Sequence, residues 1–188
     1  MFDQPFKLAF IGTHGVGKTT LCYGLAARLK PRDVSLDVVD EVARRCPLPI
    51  NRSTTVAAQS WILHTQIAEE LIAAERYPVV ICDRSVLDNY VYLLLSAGRQ
   101  KALEELVAAW TATYDVLVHV PIVHDPRPDG MRSTDPSFQR AVEERLMEEM
   151  ATRGLDFLEL VDRERDDWLG YIEDRVWKRL GPNQLELL

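Results

Sequence analysis

The stretch FKLAFIGTHGVGKTT, residues 6 to 20, constrains the fold of this chain more than any other. Phe6 to Ile11 is a short apolar run that stops at a glycine, the pattern of a buried strand. From Lys18 to Lys30, Leu21, Leu25 and Leu29 recur at helical spacing, and Pro31 closes the segment. Between strand and helix, Gly12, Gly17, Lys18 and Thr19 fit G-x-x-x-x-G-K-[ST]. The glycines permit backbone conformations that other residues resist, so several N–H groups converge on one anion. The helix start adds the positive end of its dipole. A phosphate-binding loop is therefore expected over Gly12, Thr13, His14, Gly15, Val16, Gly17, Lys18, Thr19 and Thr20. Lys18 suits the β- and γ-phosphates and the Thr19 hydroxyl suits Mg²⁺. His14 reads as a solvent-facing loop residue rather than a catalyst.

The rest of the chain repeats the strand–helix alternation. Strands are expected at Val34 to Val39, Val79 to Cys82, Val116 to Val120 and Leu155 to Val161. Helices are expected at Thr54 to Tyr77 with Ser53 as cap, Val86 to Ala97 stopped by Gly98, and Ala102 to Thr113. Another opens at Pro136 under an Asp135 cap and ends near Gly154, and a last one runs from Arg163 to Leu180, closed by Gly181-Pro182. The strands are apolar along their whole length, as when both faces of a sheet are covered. This predicts a three-layer α/β P-loop NTPase domain, with a parallel sheet of about five strands flanked by helices. Residues 1–188 read as one such domain, with no repeat and no linker.

Composition narrows the partners. With 188 residues, 47% of them hydrophobic and 27% charged, the chain has ordinary globular make-up. A net charge of -7 disfavours nucleic acid or an anionic membrane as a general partner, but not a small anion held by local donors. Cys22, Cys46 and Cys82 form no CxxC pair, which disfavours a disulfide framework or zinc site and suits a reducing compartment. The first residues show no signal peptide and no span, so a cytoplasmic location is expected.

The segment VVICDRSVLD supplies the next chemistry. Asp83 ends an apolar strand, where strand carboxyl ends line the crevice of an α/β sheet. A carboxylate there suits Mg²⁺; alternatively it caps the helix starting near Val86, which Ser85 could do equally well. Arg84 follows, where motor-type ATPases often carry a water-activating Glu. A guanidinium stabilises charge on a transferring phosphoryl group and does not activate water, which favours transfer to a bound acceptor. Asp88 either orients Arg84 or lies on the surface. After the second strand, VVDEVARR places Glu41 toward the same crevice, or else in a helix-face pair with Arg44 or Arg45. One of those arginines suits a substrate phosphate or ribose hydroxyl. Trp61 reads as core rather than a stacking platform, and His64 as a solvent-facing or packing residue. Pro121 to Asp135 is a long loop bearing Arg127 and Arg132, either a lid or a solvated loop.

GTHGVGKTT together with DRSVLD resembles the P-loop nucleoside and nucleotide kinases, among them thymidylate and deoxynucleoside kinases. With DEVARR and the arginine-bearing loop, the pattern is most similar to ATP-binding proteins related to nicotinamide-riboside kinase domains, over Lys7 to Val161. The resemblance implies an ATP- and Mg²⁺-dependent kinase with a small-molecule acceptor, a nucleoside or nucleotide. It carries to Glu41 the role of taking the proton from the acceptor hydroxyl, with Asp40 second, and to Gln59 the reading of a base edge. It makes residues 121–135 a lid whose Arg127 or Arg132 neutralises transferring charge. Lys18, Glu41, Asp83, Arg84, Arg127 and Arg132 are then the catalytic set; Glu41, Arg44, Gln59 and Arg84 hold the acceptor; Thr19 and Asp83 hold the metal. VDRERDD, where an adenine loop is expected, offers no base-specific signal, and no N-K-x-D guanine signature occurs. The rivals are a regulatory ATPase switch acting on a protein and a polynucleotide 5′-kinase. A homodimer through an apolar helix such as Val86 to Ala97 stays open.

Overall fold

The computed structural model describes residues 5–50, 54–126, 134–160 and 164–185. Strand β1 (Phe6–Ile11) leads to helix α1 (Lys18–Leu29), β2 (Leu36–Val39), α2 (Val56–Arg76), β3 (Val79–Asp83), α3 (Val86–Ala97), α4 (Lys101–Thr111), β4 (Val116–His119), α5 (Pro136–Thr152), β5 (Leu158–Glu159) and α6 (Trp168–Leu185). The five strands form one sheet in the order β2-β3-β1-β4-β5, with every pairing parallel. This is the three-layer α/β architecture that the sequence predicts.

The period-2 alternation of β1 builds the layers. Phe6, Leu8 and Phe10 pack against α1 and α6, through Leu21, Leu25, Leu29, Trp168, Ile172 and Val176. Ala9 and Ile11 point the other way, into a core with α2, α3 and α5 through Leu63, Leu87, Tyr90, Val91, Val142 and Leu146. Lys7 shares that second face and is buried. Its ammonium donates to Glu70 at 2.9 Å and sits 4.5 Å from the ring centroids of both Trp110 and Tyr114. A buried lysine in a central strand is tolerated because a carboxylate and two rings replace water.

The chain leaves β1 toward the α1 layer but leaves β3 toward the α3 layer, so a crevice opens between their carboxyl ends. Two caps fix the helices nearest to it. Thr55, not Ser53, caps α2, its hydroxyl accepting from the Ala58 amide at 3.1 Å; Ser53 lies outside the described residues. Ser85 and Asp88 form a reciprocal capping box on α3. Helix α3 is almost wholly buried in the core, so most of its apolar surface is already covered.

Three expectations need correction. Strand β5 shrinks to Leu158–Glu159, because only Val118 and His119 of β4 pair with it. Helix α6 starts at Trp168, after a 3₁₀ turn over Arg165–Asp167, and continues past Gly181-Pro182 to Leu185. Pro182 removes one backbone donor near the helix end, and Trp168, Ile172, Val176 and Leu180 already anchor the helix on the sheet. Helix α2 is trimmed by a residue or two at its ends, and α4 starts one residue earlier and ends two earlier than expected.

Candidate active site

The loop after β1 needs glycine where the sequence has it. Gly12 adopts φ 137°, and a Cβ there would lie 2.6 Å from the Val120 carbonyl oxygen. Gly17 adopts φ 101°, and a Cβ there would meet Arg165 Nη2 at 2.8 Å. The loop wraps a cavity of about 270 Å³ lined by Gly15 to Thr20 and Arg44. Helix α1 begins at Lys18, so its free amides and its dipole face this cavity. The Lys18 ammonium donates to the carbonyls of Gly12 at 2.8 Å and Thr13 at 2.5 Å. Burial, reinforced by the nearby Arg84 cation, pushes its pKa down to about 8.

Asp83 stands at the end of β3, one per cent exposed, and Thr19 Oγ1 donates to its Oδ2. Oδ1 is buried with no hydrogen-bond partner. Burial raises the Asp83 pKa against the opposing pull of Lys18 and the Thr19 hydrogen bond. An unpartnered carboxylate oxygen beside a threonine hydroxyl fits a hard cation. Among the described residues no three acidic, His or Cys side chains converge on a metal position. Mg²⁺ suits such a site, because it keeps several waters and takes few protein ligands.

Arg84 turns the chain from β3 into α3 at φ 90°, a conformation that costs a side-chain-bearing residue about 1–3 kcal/mol. Its surroundings hold it there. The amide donates to the Phe10 carbonyl at 3.2 Å, and the Arg84 carbonyl accepts from Gln66 at 3.4 Å. Nε donates to Glu41 at 2.8 Å and the guanidinium lies 5.3 Å from the Tyr92 ring centroid. Nη1 is buried without a hydrogen-bond partner.

Glu41 follows β2 and opens a 3₁₀ turn, Val42–Arg45, that carries Arg44 and Arg45. Both of its expected placements are realised together. It faces the crevice, and it accepts from Arg44 Nε at 3.0 Å as well as from Arg84. Arg45 pairs with Glu69 on the wall of the larger of the cavities named here, while Arg44 lines all of them. Asp40 accepts from the Tyr23 hydroxyl at 2.5 Å on the exposed side. A cleft of about 570 Å³ runs from Thr19 and Asp83 past Glu41 and Asp40 along β2. On the other side of Glu41 a tighter space of about 40 Å³ is lined by His14, Gln59, Arg84, Asn89 and Tyr92. Gln59 is buried there, donating to Thr54 Oγ1 at 2.8 Å. The site thus unites Lys18, Thr19, Glu41, Arg44, Gln59, Asp83 and Arg84. Arg127 and Arg132 lie outside the described residues.

Several placements depart from the sequence reading. His14 is buried, not solvent-facing: its ring meets the Tyr92 hydroxyl at 3.1 Å and packs on Phe138, and only its backbone serves the loop. Of the two places expected for Asp88, the structure takes the one beside Arg84, and the side chain is buried. Besides its capping role it accepts from the Gly12 amide at 2.9 Å and lies 4.0 Å from Arg84 Nη1. Trp61 is half-buried on α2 rather than core, whereas His64 is exposed as expected, donating to the Ser60 carbonyl at 2.7 Å. Sequence reasoning missed Asn89 and Tyr92, although both follow DRS within one α3 face. It also missed Arg165, whose guanidinium lies over Gly17 from the segment expected to hold the adenine loop.

Solved structures with this fold include deoxyadenosine kinase from M. mycoides with bound dATP, at TM-score 0.65 and 14% identity, covering 91% of this chain and 98% of that one. NadR protein in complex with NR matches at TM-score 0.64 and 22% identity over 86% of this chain; the match spans 46% of NadR. Thymidylate kinase from Candida albicans matches at TM-score 0.62 and 15% identity, covering 97% and 93%. No curated protein matches. No described helix is long and apolar enough to cross a membrane. The model of the family described as AAA domain matches residues 7–167, so the chain belongs to that family, with the fold of the P-loop nucleoside and nucleotide kinases.

Proposed function

We propose that this protein is a kinase that moves the γ-phosphate of ATP to a hydroxyl of a small acceptor, a nucleoside or nucleotide. The observation that carries the reading is Arg84. It is a buried, strained arginine directly after Asp83, fixed through Nε by Glu41, with Nη1 4.0 Å from Asp88 and without a hydrogen-bond partner. A cation so placed stabilises charge on a transferring phosphoryl group; a hydrolase needs a group that activates water at this point. Lys18 and the loop amides hold the β- and γ-phosphates. Thr19 and Asp83 hold Mg²⁺, which offsets phosphate charge. Glu41 accepts the proton of the acceptor hydroxyl, and Arg44 and Gln59 orient the acceptor. Arg127 and Arg132 are proposed as a lid's contribution. Catalysis of this kind is mostly positioning and electrostatics. The solved structures with the same fold support the reading, two of them being kinases, through the molecules named with them, dATP and NR.

The test is transfer of label from γ-labelled ATP, with Mg²⁺, to a panel of nucleosides, nucleoside monophosphates and nicotinamide riboside, with Lys18→Ala as control. Label on one acceptor, lost in the control, is expected. Label released only as free phosphate, at a rate no acceptor changes, would sink the proposal.

A further inference from the structure

We infer that helix α5 positions the front half of the phosphate-binding loop through Glu143, with Gln139 beside it. The inference rests on the nucleotide-binding reading above. The backbone of residues 12–14 belongs to no helix or strand ladder beyond Gly12, so side chains must satisfy it. The Gly12 amide goes to Asp88 and the Thr13 amide to Glu143 Oε2 at 3.2 Å. The Gly12 and Thr13 carbonyls accept from Lys18, and the His14 carbonyl accepts from Gln139 Nε2 at 2.9 Å. Two of these grips come from α5, about 130 residues along the chain from the loop.

Glu143 is itself held. Its Oε1 accepts from His119 Nε2 at 2.5 Å, and His119 is buried at the end of β4, edge-on to Phe157. His119 Nδ1 is buried without a partner, which favours the tautomer carrying its proton on Nε2, toward the carboxylate. A carboxylate behind a loop that cradles polyphosphate repels the ligand. Helix α5 does not need that charge for packing, because Val142, Leu146 and Met150 supply its core contacts. The acceptor oxygen is what the loop needs from this position, so hydrogen bond and charge are separable by mutation.

The test is the Kd of a non-hydrolysable ATP analogue, measured by calorimetry without acceptor, alongside thermal melting. Glu143→Ala is expected to raise Kd about tenfold, the range for a buried amide losing its partner. Glu143→Gln keeps an oxygen for Thr13, while its amide donates to His119 Nε2 as that neutral ring moves its proton to Nδ1, so it is expected to stay within about threefold of wild type. Val142→Ala, which loosens the same helix without touching the loop, is expected to lower the melting temperature and leave Kd alone. Should Glu143→Ala not fold, Gln139→Ala is expected to raise Kd about threefold. An unchanged Kd in the folded loss variants, a Glu143→Gln as weak as Glu143→Ala, or a Val142→Ala that weakens binding equally would each overturn the inference. A wild-type protein that binds no nucleotide would instead remove the reading beneath it.

Discussion

Lys18→Met should make this protein more stable and unable to hold phosphate. Lys18 is 4% exposed, and its pKa falls from 10.5 to about 8, first through burial and then through Arg84. At 1.36 kcal/mol per pH unit, the charged form costs the folded chain about 3 kcal/mol at neutral pH. Methionine fills similar volume without charge. It also leaves the Gly12 and Thr13 carbonyls short of a donor, which costs about 1 kcal/mol each. The net gain is about 1 kcal/mol, or roughly 2–4 °C in Tm for a chain of this length. The sign with pH is fixed. The folded chain releases the Lys18 proton near 8 and the unfolded chain near 10.5, so between those values the unfolded state binds more protons. Wild-type stability therefore climbs toward the variant's across that window, and the full difference is present below pH 8. Thermal melts of both proteins from pH 7 to 10 decide the matter. A variant that melts below wild type at pH 7, or a difference flat across the range, would refute the reasoning.

Three further outcomes are expected. Asp83→Asn should abolish the Mg²⁺ dependence of nucleotide binding. It should also raise stability at pH 7 but not below 3.8, because the folded-state pKa of Asp83 lies above its unfolded value and its contribution is lost as pH rises; urea melts at both pH values check this. Arg84→Lys should lower the rate of label transfer about 10³-fold while the ATP Kd moves only a few-fold, since a lysine loses the fork that binds Glu41 and leaves a second donor free. Gly12→Ala should cost about 2–4 kcal/mol by urea midpoint, because its Cβ would press on the Val120 carbonyl at an already positive φ.

What could be read from the sequence is what neighbours along the chain decide. The phosphate loop is contiguous, and strand, glycines, lysine and helix start fall within fifteen residues, so Gly12 to Thr20 could be placed without coordinates. Asp83 and Arg84 could be placed for the same reason, at the end of an apolar run. His14 could not. Its burial depends on Tyr92 from α3 and Phe138 from α5, and nothing beside it in the sequence marks either. Glu143 sits in the run VEERLMEE, where an acidic residue on a helix looks like any solvated one. Its link to Thr13 exists only because β4, α5 and the loop meet in space. Glu41 lies between these cases: its pair with Arg44 is a local i,i+3 contact, while its pair with Arg84 needs β2 and β3 side by side.

The acidity of the chain also finds its place here. A net charge of -7 should repel a polyphosphate, yet the buried charges around the loop nearly cancel: Lys18 and Arg84 stand against Glu41, Asp83 and Asp88. One negative charge is left over, and it lies where Asp83 keeps an oxygen unpaired. A divalent cation there would reverse the balance to one positive charge, so that with the proposed metal bound the cluster would favour an anion. Attraction at long range is thus replaced by oriented groups at short range: the amides at the start of α1, the ammonium of Lys18 and Nη1 of Arg84, which has no hydrogen-bond partner. Such an arrangement discriminates by geometry more than by charge, which suits the proposed transfer, in which a phosphate and a hydroxyl are held in line with water kept out of the space between them.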